Sequence, residues 1–396
     1  MQKQSPRIPC EQCTGCTACA QACPAGCISM QPDSEGFLYP TVNETACLHC
    51  YLCERICPVY KAEKNVQVLH ESSTACALIC EDSSILQNAG SGGAFSLMAK
   101  YILDKGGVVI GAAWSADWQV EHIAAYNWQQ YKLIAGTKYA QSTIGNTLQL
   151  TRKLLQEGKT VLFGGTGCQI AGLRSFLKKN YSELITVNIA CYGAPSPGVW
   201  ERYLSELQTT QKLGEIKEVV FRKKIGNNSL TMVVEGTEGT YKNYVYGDPF
   251  GWGLVNDVIN RPCCEHCLFK GAASGSDITI GDARGIEEYD SSIKAIEGVS
   301  VIAAHTEQGR ELVNKLKPDC RYFRRLPLPG AISQNMGIID SVNSHGALRK
   351  AFFRQFKKGA PVLSSLKVLQ KGNFYTRFKR LCKRVINKIK RILRLN

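Results

Sequence analysis

Two stretches of the chain carry the same spacing of cysteines: "CTGCTACAQACP" at Cys13–Pro24 and "CLHCYLCERICP" at Cys47–Pro58. Each reads C-x-x-C-x-x-C-x-x-x-C-P, so eight thiols and two prolines agree position by position across an internal repeat of 34 residues. Three cysteines at i, i+3 and i+6 of a tight loop turn three thiolates onto one iron–sulfur cubane. The fourth, next to its proline, reaches the other cubane, as in two-cluster ferredoxins. The spacing therefore assigns Cys13, Cys16, Cys19 and Cys57 to one 4Fe-4S cluster, and Cys47, Cys50, Cys53 and Cys23 to a second. Zinc ribbons pair C-x-x-C units across longer gaps and do not use a third cysteine at +6.

The chain of 396 residues has 19 cysteines. Its first residues, "MQKQSPRIPCEQ", contain no apolar secretory segment, and no run of ~18 apolar residues occurs anywhere. These features lead us to expect a cytoplasmic, reducing setting, where thiols serve metal or redox chemistry rather than disulfides. The net charge of +15 is concentrated at one end. No acidic residue follows Asp340, and sixteen Lys and Arg lie from Arg349 onward, leaving 32 basic against 33 acidic residues in the rest. The body is thus electrically neutral, and a nucleic-acid partner is not expected. Projected as a helix, residues 374–396 gather Phe374, Phe378, Leu381, Val385, Ile389 and Ile392 on one face and Lys and Arg on the other. That pattern suits an anionic membrane surface, with a partner protein's groove as the rival.

Residues 1–63 read as the cysteine-rich unit, followed by the polar linker "KAEKNVQ". Strand-like runs ("TACALIC", "VVIGAAW", "TVLFGG", "LITVNIAC") then alternate with helical ones. This alternation predicts an α/β layer with a largely parallel sheet over 70–150 and 151–345, within a mixed α+β whole. "VVFRKK", "LTMVVEG" and "TYKNYVYG" read as antiparallel strands, "DITIGDA" and "GVSVIAAH" as further short strands, and 346–396 as a basic helical tail.

Four stretches carry the chemistry of the body. "GSGG" at Gly90–Gly93 precedes a helix, which suits close backbone approach to an anion, although an ordinary turn has the same appearance. "GTKYAQS" spans Gly136–Ser142. "VLFGGTGCQIAG" at Val161–Gly172 sets Cys168 at a helix start, a position that lowers a thiol pKa. "NRPCCEHCLFKGAASGSDITIGDARG" at Asn260–Gly285 has the pair Cys264 and Cys267 ahead of a strand. Taken together and in order, with "CYGAPSP", these blocks resemble the coenzyme F-420 hydrogenase/dehydrogenase beta-subunit family, over about residues 10–345.

The resemblance implies an iron–sulfur flavoprotein with non-covalent FAD beside a further 4Fe-4S cluster. It makes Cys168, Cys191, Cys264 and Cys267 a third set of four thiolates, the number one cubane needs. A buried core residue remains the other reading of Cys191. Ser91, Gly92, Gly93, Lys138, Tyr139, Gln141 and Ser142 are its candidate flavin contacts. Cys10, Cys27, Cys76 and Cys80 read as buried packing residues, Cys263 faces away from Cys264, and Cys320 and Cys382 have no partner in view. His49, inside the second motif, reads as a surface residue or one packed behind the ligands. Two positions depart from the family pattern: Gly167 where proline is common, and Ala283-Arg284 where an aromatic pair is common. The second departure points to a substrate other than that of the archaeal hydrogenase subunits.

The function expected is a reductase that exchanges electrons between ferredoxin-type clusters and FAD and acts on an organic substrate or deazaflavin, with ferredoxin or another redox protein as partner. The alternatives are an F-420-dependent dehydrogenase proper and a non-catalytic electron-transfer subunit of a larger complex. No catalytic acid or base is legible.

Overall fold

The computed structural model describes residues 11–62, 69, 71–225, 228–294, 298–342 and 346–372. Cys10, Cys382, most of the linker and the amphipathic tail at 374–396 lie outside these described residues.

The N-terminal module is built on short pieces because its cysteine loops cannot be continuous helix. α1 (Ala18–Ala22), α2 (Leu52–Arg55) and α3 (Pro58–Lys61) flank a hairpin of β1 (Ile28–Pro32) and β2 (Leu38–Val42). Each helix of the repeat starts after a left-handed residue, Thr17 at φ 60° and Tyr51 at φ 55°. One residue pair earlier in the repeat, Gly15 and His49 are also left-handed, at 72° and 50°. The two copies therefore share one backbone trace, and only one of them uses glycine for it.

The body is an eight-stranded sheet in the order β13-β3-β12-β11-β7-β6-β4-β5. The strands are β3 (Thr74–Cys80), β4 (Val108–Trp114), β5 (Val120–Ala125), β6 (Val161–Gly165), β7 (Leu184–Ile189), β11 (Ile278–Asp282), β12 (Ser300–Ala304) and β13 (Cys320–Leu326). Three pairings are parallel (β4–β6, β6–β7, β7–β11) and four antiparallel (β4–β5, β11–β12, β12–β3, β3–β13). The largely parallel sheet expected from the sequence is thus a mixed one. The reason is physical: β3 and β12 are buried along nearly their whole length. Helices cover both faces, so a continuous apolar run records burial and carries no sign of strand direction. β5 and β13, the two sheet edges, were not legible as strands.

Intervening helices are α4 (Ser83–Asn88), α5 (Ala94–Asp104), α6 (Trp128–Ile134), α7 (Thr147–Gln156), α8 (Gly167–Leu177) and α9 (Pro197–Thr210). α5 and α6 pack Leu97, Met98, Ile102, Tyr131 and Ile134 on one face of the sheet, and α7 and α8 pack Leu148, Leu155, Ile170 and Phe176 on the other. A separate antiparallel sheet, β8 (Ile216–Ile225), β9 (Asn228–Gly236) and β10 (Thr240–Tyr244), closes over an aromatic core of Trp114, Trp200, Phe221 and Phe250.

The N-terminal module sits against α7 and α8. Ser175 donates to the Ile56 carbonyl at 2.5 Å, and Leu148 and Gln149 N–H both donate to Gln21 Oε1 at 3.1 Å. Gly172 on α8 lets Cys16 approach so closely that a Cβ there would lie 2.8 Å from the Cys16 Cβ. Arg349 in the helix Gly346–Phe356 pairs with Glu35, and Phe353 of the same helix meets Phe37 at 6.2 Å between ring centroids.

Candidate functional site

The repeat folds its cysteines around two small voids. Cys13, Cys16, Cys19 and Cys57 line one, with Cys53 at its margin; Cys23, Cys47, Cys50 and Cys53 line the other, with Cys27. The fourth cysteine of each copy thus stands with the first three of the other. Backbone geometry explains this: Cys23 and Cys57 are both extended, at φ −66° and −65°, before their prolines, and leave the loop that their own copy builds. Gly15 N–H donates to Cys13 Sγ and His49 N–H to Cys47 Sγ, each at 3.4 Å. Burial raises the Cys13 thiol, and Arg261 and the Gly15 amide offset part of that rise. Among the described residues no three His, Cys, Asp or Glu side chains form a ready-made site for a single ion. Cys27, read from sequence as packing, is buried but has its Sγ 3.3 Å from that of Cys23.

A cavity of about 1040 Å³ opens at the carboxyl ends of β4, β6, β7 and β11, where Ala112, Gly165, Ile189 and Asp282 line it. Ligands of open α/β sheets bind at this edge. Thr14 and Tyr39 of the N-terminal module form part of its wall. Cys168, Cys191, Cys264 and Cys267 all face this one cavity; Cys263, expected to face away from Cys264, lines it too, because the short turn that carries both residues brings both side chains to this wall. Cys168 lies inside the Thr166–Gln169 capping box that starts α8; Cys191 follows β7; Cys264 and Cys267 lie on or beside the short turn Pro262–His266. Ala194 N–H donates to Cys264 Sγ at 3.4 Å, and Lys270 Nζ donates to the Cys191 carbonyl at 2.6 Å. Gly167 is explained by packing, since a Cβ there would collide with the Phe269 carbonyl.

The helix start does not lower the Cys168 thiol as its position suggested. Burial, and then the neighbouring Cys267, push it well above the ordinary thiol range. Burial also raises Cys191, and pushes Cys267 up to about 11. Four thiols crowded in an apolar wall resist ionising together, and a bound cation reverses that preference.

The seven residues singled out as flavin contacts divide into three groups. Ser91, Gly93, Lys138 and Tyr139 line the cavity. Gly92 does not: its N–H donates to Ser300 Oγ at 2.9 Å, and a Cβ there would strike the Leu78 carbonyl. Gln141 and Ser142 reach the cavity wall but hold other protein groups, Thr14 O at 2.9 Å and Gln169 Nε2 at 2.8 Å. Lys138 donates to the Ile134 and Ala135 carbonyls at 2.9 and 2.8 Å, and burial brings its amine down to about 7.

Other cavity residues were not singled out as ligands: His122 and Arg222 lie outside the family-like blocks, and Tyr192 and Asp282 lie inside "CYGAPSP" and "DITIGD". His122 stacks on Phe163, and its Nε2 bonds the Gly164 carbonyl at 3.1 Å. A carbonyl only accepts, so Nε2 carries the proton and Nδ1 is left as a buried acceptor with no partner among the described residues. The Tyr192 hydroxyl and Asn335 Oδ1 on this wall are also buried without a partner among the described residues. Arg222 Nη1 bonds both carboxylate oxygens of Asp282 at 2.9 Å. Unsatisfied buried polar atoms of this kind are costly and mark a place for a polar ligand. Arg222 follows the buried Phe221 at an outward-phase position of its strand, so the sequence pattern gives no sign of this pairing.

Residues 12–61 match the family described as 4Fe-4S dicluster domain. Residues 158–322 match the family described as the C terminus of the Coenzyme F-420 hydrogenase/dehydrogenase beta subunit. An uncharacterized polyferredoxin-like protein of Methanocaldococcus jannaschii is 29% identical over 68 residues, 15% of this chain. The chain spans about 40% of that relative's length. A xenon-derivatized structure of the F-420-reducing NiFe hydrogenase complex from Methanosarcina barkeri aligns at 19% identity with a TM-score of 0.45, over 78% of this chain and 94% of that one. One chain thus joins a region that matches a 4Fe-4S dicluster ferredoxin module, which supports two iron–sulfur clusters, to a region that matches the C-terminal part of an F-420 hydrogenase/dehydrogenase beta subunit.

Proposed function

We propose that this iron–sulfur redox protein is an electron-transferring oxidoreductase that binds FAD and a third 4Fe-4S cluster in the body cavity. The observation that carries the reading is the juxtaposition of one cavity of about 1040 Å³ with four cysteines on its wall and the N-terminal module at its mouth. That volume exceeds the ~300–1,000 Å³ of ordinary ligand pockets and suits a dinucleotide together with a cubane. Bound, the clusters carry single electrons and the flavin exchanges them for hydride, which iron–sulfur groups alone do not do.

The chain's own residues have distinct parts in this reading. Cys13, Cys16, Cys19 and Cys57 hold the inner ferredoxin cluster; Cys47, Cys50, Cys53 and Cys23 hold the outer one. Cys168, Cys191, Cys264 and Cys267 hold the third. His122 Nδ1 and Asn335 Oδ1 accept hydrogen bonds, and the Tyr192 hydroxyl and the Lys138 amine donate them, on a wall that also carries Ser91, Arg222 and Asp282. Thr14 and Tyr39 restrict water at the mouth. The family match over residues 158–322 favours F-420-dependent chemistry, or service as one component of a larger redox assembly, over reduction of another organic substrate.

The flavin is tested by denaturing the anaerobically purified chain and separating the released nucleotide. FAD at about one per chain is expected by the one-flavin stoichiometry of the reading, with weaker retention in His122→Leu. A chain that neither releases nor takes up FAD would leave only the electron carrier.

No helix among the described residues is long and apolar enough to cross a membrane. On sequence alone we also propose peripheral attachment through 374–396. The full chain should co-sediment with anionic liposomes and a truncation after Gly372 should not; equal binding would remove the proposal.

A further inference from the structure

Arg261 is one of the most deeply buried large side chains, 2% exposed, and it stands where the N-terminal module meets the cavity loop. Its guanidinium is shared among neutral acceptors. Nε donates to the Cys13 carbonyl at 2.6 Å, Nη1 to Gln141 Oε1 at 3.1 Å and Nη2 to the Leu38 carbonyl at 2.9 Å. The Tyr39 ring lies under it, 4.1 Å from the guanidinium carbon. It also touches Gly15, between Cys13 and Cys16.

Its charge balance is unlike that of the other sequestered arginines. Arg174 pairs with Asp277, Arg222 with Asp282 and Arg349 with Glu35. Among the described residues no carboxylate forms an ion pair with Arg261. Asp33, in the neighbouring turn, is taken up by the Glu35 and Phe37 amides. A guanidinium withdrawn from water without a counter-charge costs several kcal/mol. The neighbouring group that carries negative charge when a cluster is bound is Cys13, whose carbonyl oxygen Arg261 bonds. Among the described residues no basic side chain lines either void itself; Arg261 stands behind the inner one, bonded to the Cys13 carbonyl, and the outer one has no such cation hydrogen-bonded to its cysteines. Lys61, beside Cys57, is exposed and screened.

We propose that Arg261 is the fixed counter-charge of the inner 4Fe-4S cluster, the one held by Cys13, Cys16, Cys19 and Cys57, and that it raises this cluster's reduction potential above that of the outer cluster. Reduction adds one negative charge to an anionic group, so a desolvated cation beside it favours the reduced form. Single electrons then collect at the copy of the repeat that faces the cavity. The main chain of Arg261 completes the link: its N–H donates to the Ala194 carbonyl at 2.9 Å and its carbonyl accepts Cys264 N–H at 3.0 Å. The proposal rests on the cysteine assignment given under the proposed function.

The test is an EPR-monitored redox titration of the full chain, reconstituted anaerobically, with the two ferredoxin-type signals assigned through Cys13→Ser and Cys47→Ser. Arg261→Gln should lower the inner midpoint by at least about tenfold in the reduction equilibrium, which is ~59 mV for one electron, and leave the outer midpoint in place. Arg261→Lys, which keeps the charge, should stay near the parent value. Gln141→Glu keeps Arg261 and sets a carboxylate against it; it should lower the same midpoint. Unmoved midpoints in Arg261→Gln and Gln141→Glu, equal shifts in both clusters, or a fall in Arg261→Lys as large as in Arg261→Gln would overturn the proposal. Absence of two ferredoxin-type signals from the parent chain would instead overturn the cluster reading itself.

Discussion

The two copies of the cysteine repeat have the same backbone and different surroundings. In the inner copy Cys16 is buried against α8 and Arg261 lies behind Cys13. In the outer copy Cys50 is exposed, and Leu48 is 64% exposed next to Cys47. Left-handed turns and amide-to-sulfur hydrogen bonds recur at matching positions in both. The difference teaches that the repeat specifies how a cluster is held, whereas its packing partner decides what that cluster can exchange electrons with. Solvent exposure and nearby charge are among the levers that separate potentials of otherwise identical clusters.

The largest effect that could break this comparison comes from removing ligands in pairs. Because the fourth cysteine crosses over, Cys13→Ala with Cys57→Ala should cost one cubane, about four irons, whereas Cys13→Ala with Cys23→Ala should cost two, about eight. Iron and sulfide analysis reads this directly; the reverse pattern would mean that each copy closes on itself. In the cavity, Cys264→Ala with Cys267→Ala should take the full chain from about twelve irons to about eight.

A smaller effect separates the copies by packing. Gly172→Ala would press on Cys16 at 2.8 Å, and overpacking of this kind costs ~1–3 kcal/mol. The apparent melting temperature should fall and the inner cluster signal weaken, with the outer one preserved. Loss of both signals together would show the module to be a single cooperative unit.

The pH dependence is a smaller effect and belongs to the cavity. The Lys138 amine is brought by burial from 10.5 to about 7. Between those values the unfolded chain binds a proton that the folded chain does not, so stability should rise as pH rises through the window and be lowest below it. Lys138→Met should flatten that rise in thermal melts taken across the window; an unchanged slope would assign it to other groups. The smallest effect is expected at the outer copy's surface, where Leu48→Gln should shift stability by no more than ~0.5 kcal/mol.

Much of the N-terminal module was legible because cluster ligation fixes cysteine spacing, and spacing survives in sequence. The crossing-over of Cys23 and Cys57 was readable from the prolines that follow them. Strand direction in the body was not, since "TACALIC" and "GVSVIAAH" are buried on both faces and look alike whichever way they run. The cavity was half legible: its four cysteines and Tyr192 stand in recognisable blocks, but His122 and Arg222 come from ordinary strands and converge with them only through the fold. Arg261 was unread for the same reason. It lies two residues before Cys263 in sequence, and what makes it notable is a contact with Cys13 made across 248 positions of chain.

The most direct test of the account is whether the inner copy feeds the cavity. The full chain, loaded with iron–sulfide and FAD, is mixed anaerobically with a low-potential one-electron donor, and flavin bleaching is followed by stopped flow. The account predicts rapid bleaching in the parent chain and, in Cys13→Ser with FAD still bound, bleaching no faster than in a chain lacking both ferredoxin clusters. Bleaching at the parent rate without the inner cluster would contradict it.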